Sequence, residues 1–308
     1  MSSFASVTDA GRPTGRPAFA RALARTPLWF LVPAIGLLSG FALYPLIVLV
    51  RMALSDVGPT NIVGEWPFTG LENLAAVLSD DEIWLALLRT IGVAAVLLVS
   101  NFLLGFVGAS ILSVGGRVTE TVLAVMVFVW ALPPIVAGSA FSFLLDDRGP
   151  VNDALGVLGI PPVSWLSSPD LALWSVTGII AWAALPFSVL VIRGALLAVP
   201  HDLLEAAALD GAGYWRTQAR IVLPQLRPTL GILAILTVLY AFKSFDFFYV
   251  TTQGGPGTTT NTLPVLAYNT AFSGFEMSTG ATIALVSMLA VAIFAVPYIR
   301  AVRREEHA

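Results

Sequence analysis

Six long runs of mostly apolar residues, near 28–50, 90–113, 121–145, 171–197, 229–250 and 279–300, restrict this chain more than any other feature. Each is about the length an α-helix needs to cross ~30 Å of hydrocarbon, where backbone amides must find their partners within the protein. The chain therefore reads as all-α, a polytopic membrane protein with six transmembrane helices. Composition agrees: 57% of the 308 residues are hydrophobic and 11% charged, with a mean hydropathy of +0.85, which does not describe a soluble domain. The chain has no cysteine, and His201 and His307 are its only imidazoles. Disulfides and thiolate metal sites are thereby excluded, and redox or zinc chemistry is disfavoured.

The runs divide the chain into expected segments. Residues 1–26, rich in Gly, Pro, Ser, Thr and Arg without periodicity, read as a disordered tail. The apolar run after them is too long for a cleaved signal. A first transmembrane helix is expected over 27–51, a core of five helices over 87–302 and a short tail over 303–308. Basic residues decide the orientation. Arg12, Arg16, Arg21, Arg25, Arg117, Arg193, Arg216, Arg220, Arg227, Arg300, Arg303 and Arg304 all fall on one side of a six-span topology. By the positive-inside rule that side, with both termini and the polar loop at 200–228, is cytoplasmic.

That loop concentrates chemistry in a chain with few charges. It reads HDLLEAAALDGAGYWRTQARIVLPQLRP from His201 to Pro228. Pro200 sits where a helix can start and Gly211 where one stops, so a short helix is expected over 201–210. Leu204, Ala207 and Ala208 form its narrow apolar stripe, and Glu205 offers a charge to an Arg or Lys partner. On composition alone the loop is a solvated connector between membrane helices.

The fifth run carries the most polar chemistry. At helical spacing Thr237, Tyr240, Ala241, Ser244 and Phe248 fall on one stripe of hydroxyls and aromatic faces. Sugars suit such a surface, because their hydroxyls need donors and acceptors while their C–H faces lie against rings. Lys243 and Asp246 stand three residues apart in the same run, where a mutual ion pair is the least costly arrangement. Pro133 and Pro134 interrupt the third run and Pro186 the fourth. Gly105 with Ala109 is a small pair that permits close helix contact.

The spacing in the 200–228 loop resembles a known family. Glu205, Ala206 and Ala207, three residues, Gly211, nine residues, then Ile221, Leu223 and Pro224 match the EAA signature of permease subunits in ABC-type importers. The resemblance implies the type I importer transmembrane fold, with the loop forming coupling helices that seat in a cleft of a cytoplasmic ATPase subunit. Glu205, Ala206, Ala207, Asp210 and Gly211 would make that contact. Within the family the chain is similar to sugar permeases of the maltose type. The similarity lies in FDFFYVTTQGGPG from Phe245, GLENLAAVL from Gly70, WALPPIVAG from Trp130 and GPVN from Gly149.

Aligning it through Trp182, Pro186, Phe187, Pro200 and the Gly254, Gly255, Pro256 turn implies sugar contacts at Ala183, Ala184, Phe187, Thr237, Tyr240, Ala241 and Ser244. Ala241 and Ser244 replace the amide side chains of the maltose permease, so the hydrogen-bond pattern differs. The short loop from Arg51 to Leu88 resembles the commoner sugar and glycerophosphodiester permeases.

The resemblance implies an ATP-driven, binding-protein-dependent importer of a sugar, oligosaccharide or polyol in a prokaryotic inner membrane. Its partners would be a second homologous permease in a heterodimer, two ATPase subunits, an extracytoplasmic solute-binding protein and the lipid bilayer, with no nucleic acid. No G-x-x-x-x-G-K-[ST] sequence occurs, so ATP and Mg would bind the ATPase and no cofactor this chain. Lys243 keeps a glycerol-3-phosphate or glycerophosphodiester importer open as the alternative. An ion-coupled secondary transporter using Lys243 and Asp246 is a further reading, and catalytic motifs for a membrane enzyme are missing.

Overall fold

The computed structural model describes residues 31–305, with side chains described to residue 293. The expected tail at 1–26, residues 306–308 and the arginines before Thr26 lie outside the described residues, while 303–305 of the expected C-terminal tail continue the last helix. The chain divides into two units, Met1–Val48 and Leu49–Ala308. Helix α1, Val32–Ala53, occupies the described part of the first unit, continues into the second, and by length and a hydropathy of 2.0 can cross a membrane.

In the second unit the chain forms α2 (Glu72–Ser79), α3 (Asp81–Leu112), α4 (Arg117–Trp130), α5 (Pro134–Leu144), α6 (Pro150–Val157) and α7 (Ala172–Leu197). Two short helices follow, α8 (His201–Leu209) and α9 (Tyr214–Thr217), and a π-helical turn at Gln218–Val222 leads into α10 (Leu223–Lys243). The last are α11 (Asp246–Thr251), α12 (Leu263–Tyr268) and α13 (Met277–Glu305). Among the described residues extended pairing is limited to one isolated bridge, Ser55 with Phe68.

Four helical stretches are long and apolar enough to span a membrane: α1, α3, α7 and the stretch Tyr214–Thr251; α4 with α5 makes a fifth if that bent pair is one span. The last run forms α13, whose described apolar part, Met277–Ile293, is shorter. The expected count of six is thus not reached on the described residues.

Three departures from the expected spans have local causes. Helix α3 starts at Asp81, ahead of its apolar run, because Asp80 Oδ1 accepts the Glu82 amide at 2.9 Å and two acidic residues open the first turn. The third run is not one helix: α4 and α5 meet at 97°. Pro133 is extended at ψ 134° and Pro134 opens α5, where its missing N–H costs nothing.

The fifth run also breaks, at Ser244, whose ψ is 78°. Beyond the break Phe247 and Phe248 are buried against α3, α5 and α7. Burying two phenylalanines contributes about 3–6 kcal/mol, against about 1 kcal/mol for each helical hydrogen bond given up, so burial wins.

Packing centres on α3 against α7. Gly105 makes this possible, since an added Cβ would lie 3.1 Å from Ile192 Cδ1 and 3.2 Å from Ser188 Cβ. Ala109, one turn on, is fully buried. One apolar cluster joins Val93, Leu97, Ile180, Ala241 and Phe248; a second joins Leu112, Ile192, Val222 and Leu226 beneath α8. At this end Arg193 Nε donates to Leu112 O at 2.9 Å, satisfying a carbonyl at the end of α3.

Candidate functional site

Two places concentrate polar groups in this apolar frame. The first is a cavity of about 410 Å³ among α3, α4, α5, α7, α10 and α11. Its opening follows from the bend at Pro133, since Trp130, Leu132, Pro134 and Ala137 on the two arms form one wall. Helix α7 supplies Ala183, Ala184, Phe187 and Ser188, and α10 supplies Leu236, Thr237 and Tyr240. Trp130 stacks on Phe187 at 5.7 Å with 20° between the ring planes, making an aromatic platform.

Of the seven expected sugar positions, Ala183, Ala184, Phe187, Thr237 and Tyr240 line this cavity. Ala241 and Ser244 do not. Ala241 is 1% exposed within the cluster around Val93 and Phe248, because one residue past Tyr240 the helix has turned about 100°. Ser244 lies buried at the helix break, so a stripe drawn through it assumed a continuation that α10 does not have. Pro186 is buried in α7 and does not line the cavity, though both its neighbours in sequence do so or pack beside it.

Lys243 and Asp246 are exposed and lie on different helices. Among the described residues Arg89 pairs with Glu82 at 2.7 Å, and His201 Nδ1 lies 3.5 Å from Glu205 Oε1. The spacing that suggested a Lys243–Asp246 pair is cut by the break at Ser244, and among the described residues no charged one lines the cavity.

Sequence reasoning missed Asn101, Trp130, Ser188 and Phe247. Asn101 had a signal, as a lone amide inside an apolar run. The others become visible only once the bend and the helix crossings are known.

The second place is the 200–228 loop. Helix α8 ends in a glycine-dependent cap: the Gly211 amide donates to Ala208 O at 3.1 Å and the Ala212 amide to Ala207 O at 2.9 Å. Gly211 has φ +69°, with open space around it, so backbone conformation rather than crowding calls for glycine. Asp210 is the exposed residue just before this turn.

Leu204 packs inward against the cluster around Val222 and Leu226, and Ala207 is buried. Ala208, expected on the same stripe, faces out with Glu205 and Ala206. Beside them Leu209 is 89% exposed and Trp215 80%, with Tyr214 edge-on to Trp215 at 5.4 Å. A carboxylate, small residues and large rings thus share an outward surface held by a buried underside.

Comparison with known proteins identifies the family of the chain. The sequence pattern of the family described as "binding-protein-dependent transport system inner membrane component" matches residues 101–303. The diacetylchitobiose uptake system permease protein DasB of Streptomyces coelicolor is 33% identical over 297 residues, covering 94% of this chain and 90% of that one. The trehalose/maltose transport system permease protein MalF of Thermococcus litoralis is 32% identical, covering 78% and 81%. The sulfoquinovosyl glycerol transport system permease protein SmoG of Agrobacterium fabrum is 30% identical, covering 90% of each chain.

In structure the chain is similar to a crystallised bacterial ABC transporter involved in import of the acidic polysaccharide alginate. The TM-score is 0.77 at 18% identity, covering 93% of this chain and 99% of that one, a likeness of fold. The chain belongs to the family of inner membrane components of binding-protein-dependent transport systems. It is a multi-pass permease subunit and not an enzyme.

Proposed function

We propose that this permease carries a neutral carbohydrate through the cavity bounded by α4, α5, α7 and α10. The observation that carries the reading is the cavity wall: an aromatic platform at Trp130 and Phe187, hydroxyls at Thr237 and Tyr240, and, among the described residues, no charged side chain. Such a wall matches the alternating hydroxyl and C–H faces of a sugar and offers nothing to neutralise a phosphate. The names of the three relatives, each a transporter of a sugar or glycosyl compound, support a carbohydrate; diacetylchitobiose, trehalose and maltose are neutral, while sulfoquinovosyl glycerol is a sulfonate, so neutrality rests on the cavity wall. Neither Lys243, exposed and not among the residues that line the cavity, nor those names favour the glycerol-3-phosphate alternative.

In this reading the working unit pairs the chain with a second homologous permease across a shared pathway, with two ATPase subunits at the 200–228 loop and a solute-binding protein opposite. ATP and Mg belong to the ATPase. The six-span topology, with both termini and the loop cytoplasmic, follows the distribution of arginines. Glu205, Ala206, Asp210 and the exposed Leu209 and Trp215 meet the ATPase, while Ala207 and Gly211 hold the shape of α8. Closure of the ATPase pair moves α8 as a rigid lever, and its buried underside passes the motion to α7 and α10. The cavity then opens alternately to either side.

The test is uptake by the importer reconstituted with its partner subunits in proteoliposomes. ATP-dependent uptake of a neutral disaccharide with the binding protein is the expected result. Uptake of sn-glycerol-3-phosphate instead would overturn the carbohydrate assignment, and uptake driven by an ion gradient without ATPase would overturn the importer.

A further inference from the structure

We propose that Asn101 is a specificity-determining residue of the cavity, its amide taking a hydroxyl of the transported sugar, with Ser188 as a second polar contact. The inference rests on the carbohydrate reading above. Asn101 lies in the middle of α3, is 2% exposed and lines the cavity. Its Nδ2 donates to Thr237 Oγ1 at 3.4 Å, while Oδ1 has no hydrogen-bond partner. Turning the amide over exchanges the two atoms but not the deficit, because one end meets Thr237 and the other meets nothing. Ser188, 1% exposed on α7, lines the same cavity, and its Oγ is likewise without a partner. Buried amides and hydroxyls are otherwise almost always paired, so two unmatched groups at one cavity point to a ligand that completes them.

The placement of the two is built into the helix crossing. Gly105, one turn along α3 from Asn101, lets the α3 backbone approach Ser188 so closely that an added Cβ would sit 3.2 Å from Ser188 Cβ. Both groups thereby reach the cavity from the seam between α3 and α7, away from the stripe on α10. A sugar supplies what each lacks: a hydroxyl that donates to Asn101 Oδ1, and an oxygen that accepts from Ser188 Oγ–H. The aromatic platform meets the sugar's C–H face, and Thr237 holds the Asn101 amide at a set angle. Sites built to bond a particular hydroxyl reject analogues lacking it far more strongly than apolar pockets reject a size change. Asn101 therefore selects among sugars of similar shape.

The experiment uses the complete importer, with partner permease, ATPase and binding protein, in proteoliposomes. Probes are N,N′-diacetylchitobiose, trehalose, maltose and their monodeoxy analogues. Asn101→Leu is expected to raise KM for the transported sugar about tenfold with a smaller change in kcat, as loss of one hydrogen bond does. It is also expected to erase the penalty that the wild type shows against one particular monodeoxy analogue. A merely structural role would depress uptake of the parent sugar and every analogue alike.

Ser188→Ala adds no volume and is expected to raise KM about two- to fivefold; it keeps the test decisive if Asn101→Leu fails to assemble with its partners. Unchanged KM in the variants, or deoxy penalties equal to the wild type's, would overturn the role of Asn101 and Ser188 while wild-type sugar uptake sustained the carbohydrate reading. A wild-type importer that carried none of these sugars would overturn both.

Discussion

The 200–228 loop and the cavity among the membrane helices solve opposite problems with the same residue types. In the loop, alanines and a glycine shape a surface: Ala207 turns inward, Ala206 and Ala208 turn outward, and Gly211 ends α8 with a left-handed residue. In the cavity, Ala183 and Ala184 leave room beside a Trp130–Phe187 stack. In the function proposed above, one site is made by about twenty consecutive residues and would be finished by another protein covering it. The other gathers residues from six helices and would be finished by a small molecule. Coupling is therefore encoded as a local pattern and selectivity as a dispersed one, which makes them separable by mutation.

The widest separation is expected from the loop. Glu205→Ala removes the carboxylate that would pair with a basic group on the ATPase, and truncating one partner of a buried interfacial charge pair costs about 2–5 kcal/mol. Uptake should fall about thirtyfold or more, with the subunits still inserted in the membrane and KM for the sugar unchanged. Gly211→Val, forcing a β-branched residue to φ +69°, should do the same. The check is sugar uptake beside ATP hydrolysis in the same proteoliposomes. Normal uptake in both variants would remove the loop from the coupling path.

A smaller, opposite effect is expected in the cavity. Trp130→Ala deletes the outer ring of the aromatic platform, worth about 0.5–1.5 kcal/mol, so KM should rise about two- to tenfold. ATP hydrolysis should remain responsive to the loaded binding protein. Loss of hydrolysis together with uptake would show that Trp130 belongs to the moving parts rather than to recognition.

The same contrast explains what the sequence makes legible. Helix α8, its stop at Gly211 and the exposure of Glu205 follow from residues near one another in the chain, and α1, α3 and α7 follow from long apolar runs. Thr237 and Tyr240 face the cavity at their helical spacing, because α10 is regular there. Ser244 misleads because the favourable direction for Phe247 and Phe248 lies off the α10 axis, and burial of two rings outweighs helix continuity. Asn101 stands out as an amide in an apolar run, but its meeting with Thr237, 136 positions away, depends on how two helices cross. Pro133 and Pro134 announce a break; the 97° bend that makes a cavity wall of Trp130 is set by packing.

The smallest expected effect is the sharpest test of where the pathway runs. As a helical pair in the fifth span, Lys243 and Asp246 would sit beside the solute and serve an ion cycle or meet a phosphate. The break at Ser244 puts them on separate helices, exposed and not among the residues that line the cavity. Lys243→Met keeps the length and apolar stem of the side chain and removes only its charge. Uptake of a neutral disaccharide should then stay within about twofold of wild type, the scatter usual for exposed charges. A tenfold loss would place Lys243 on the pathway and move the route for the solute from the Trp130–Phe187 platform towards the junction of α10 and α11.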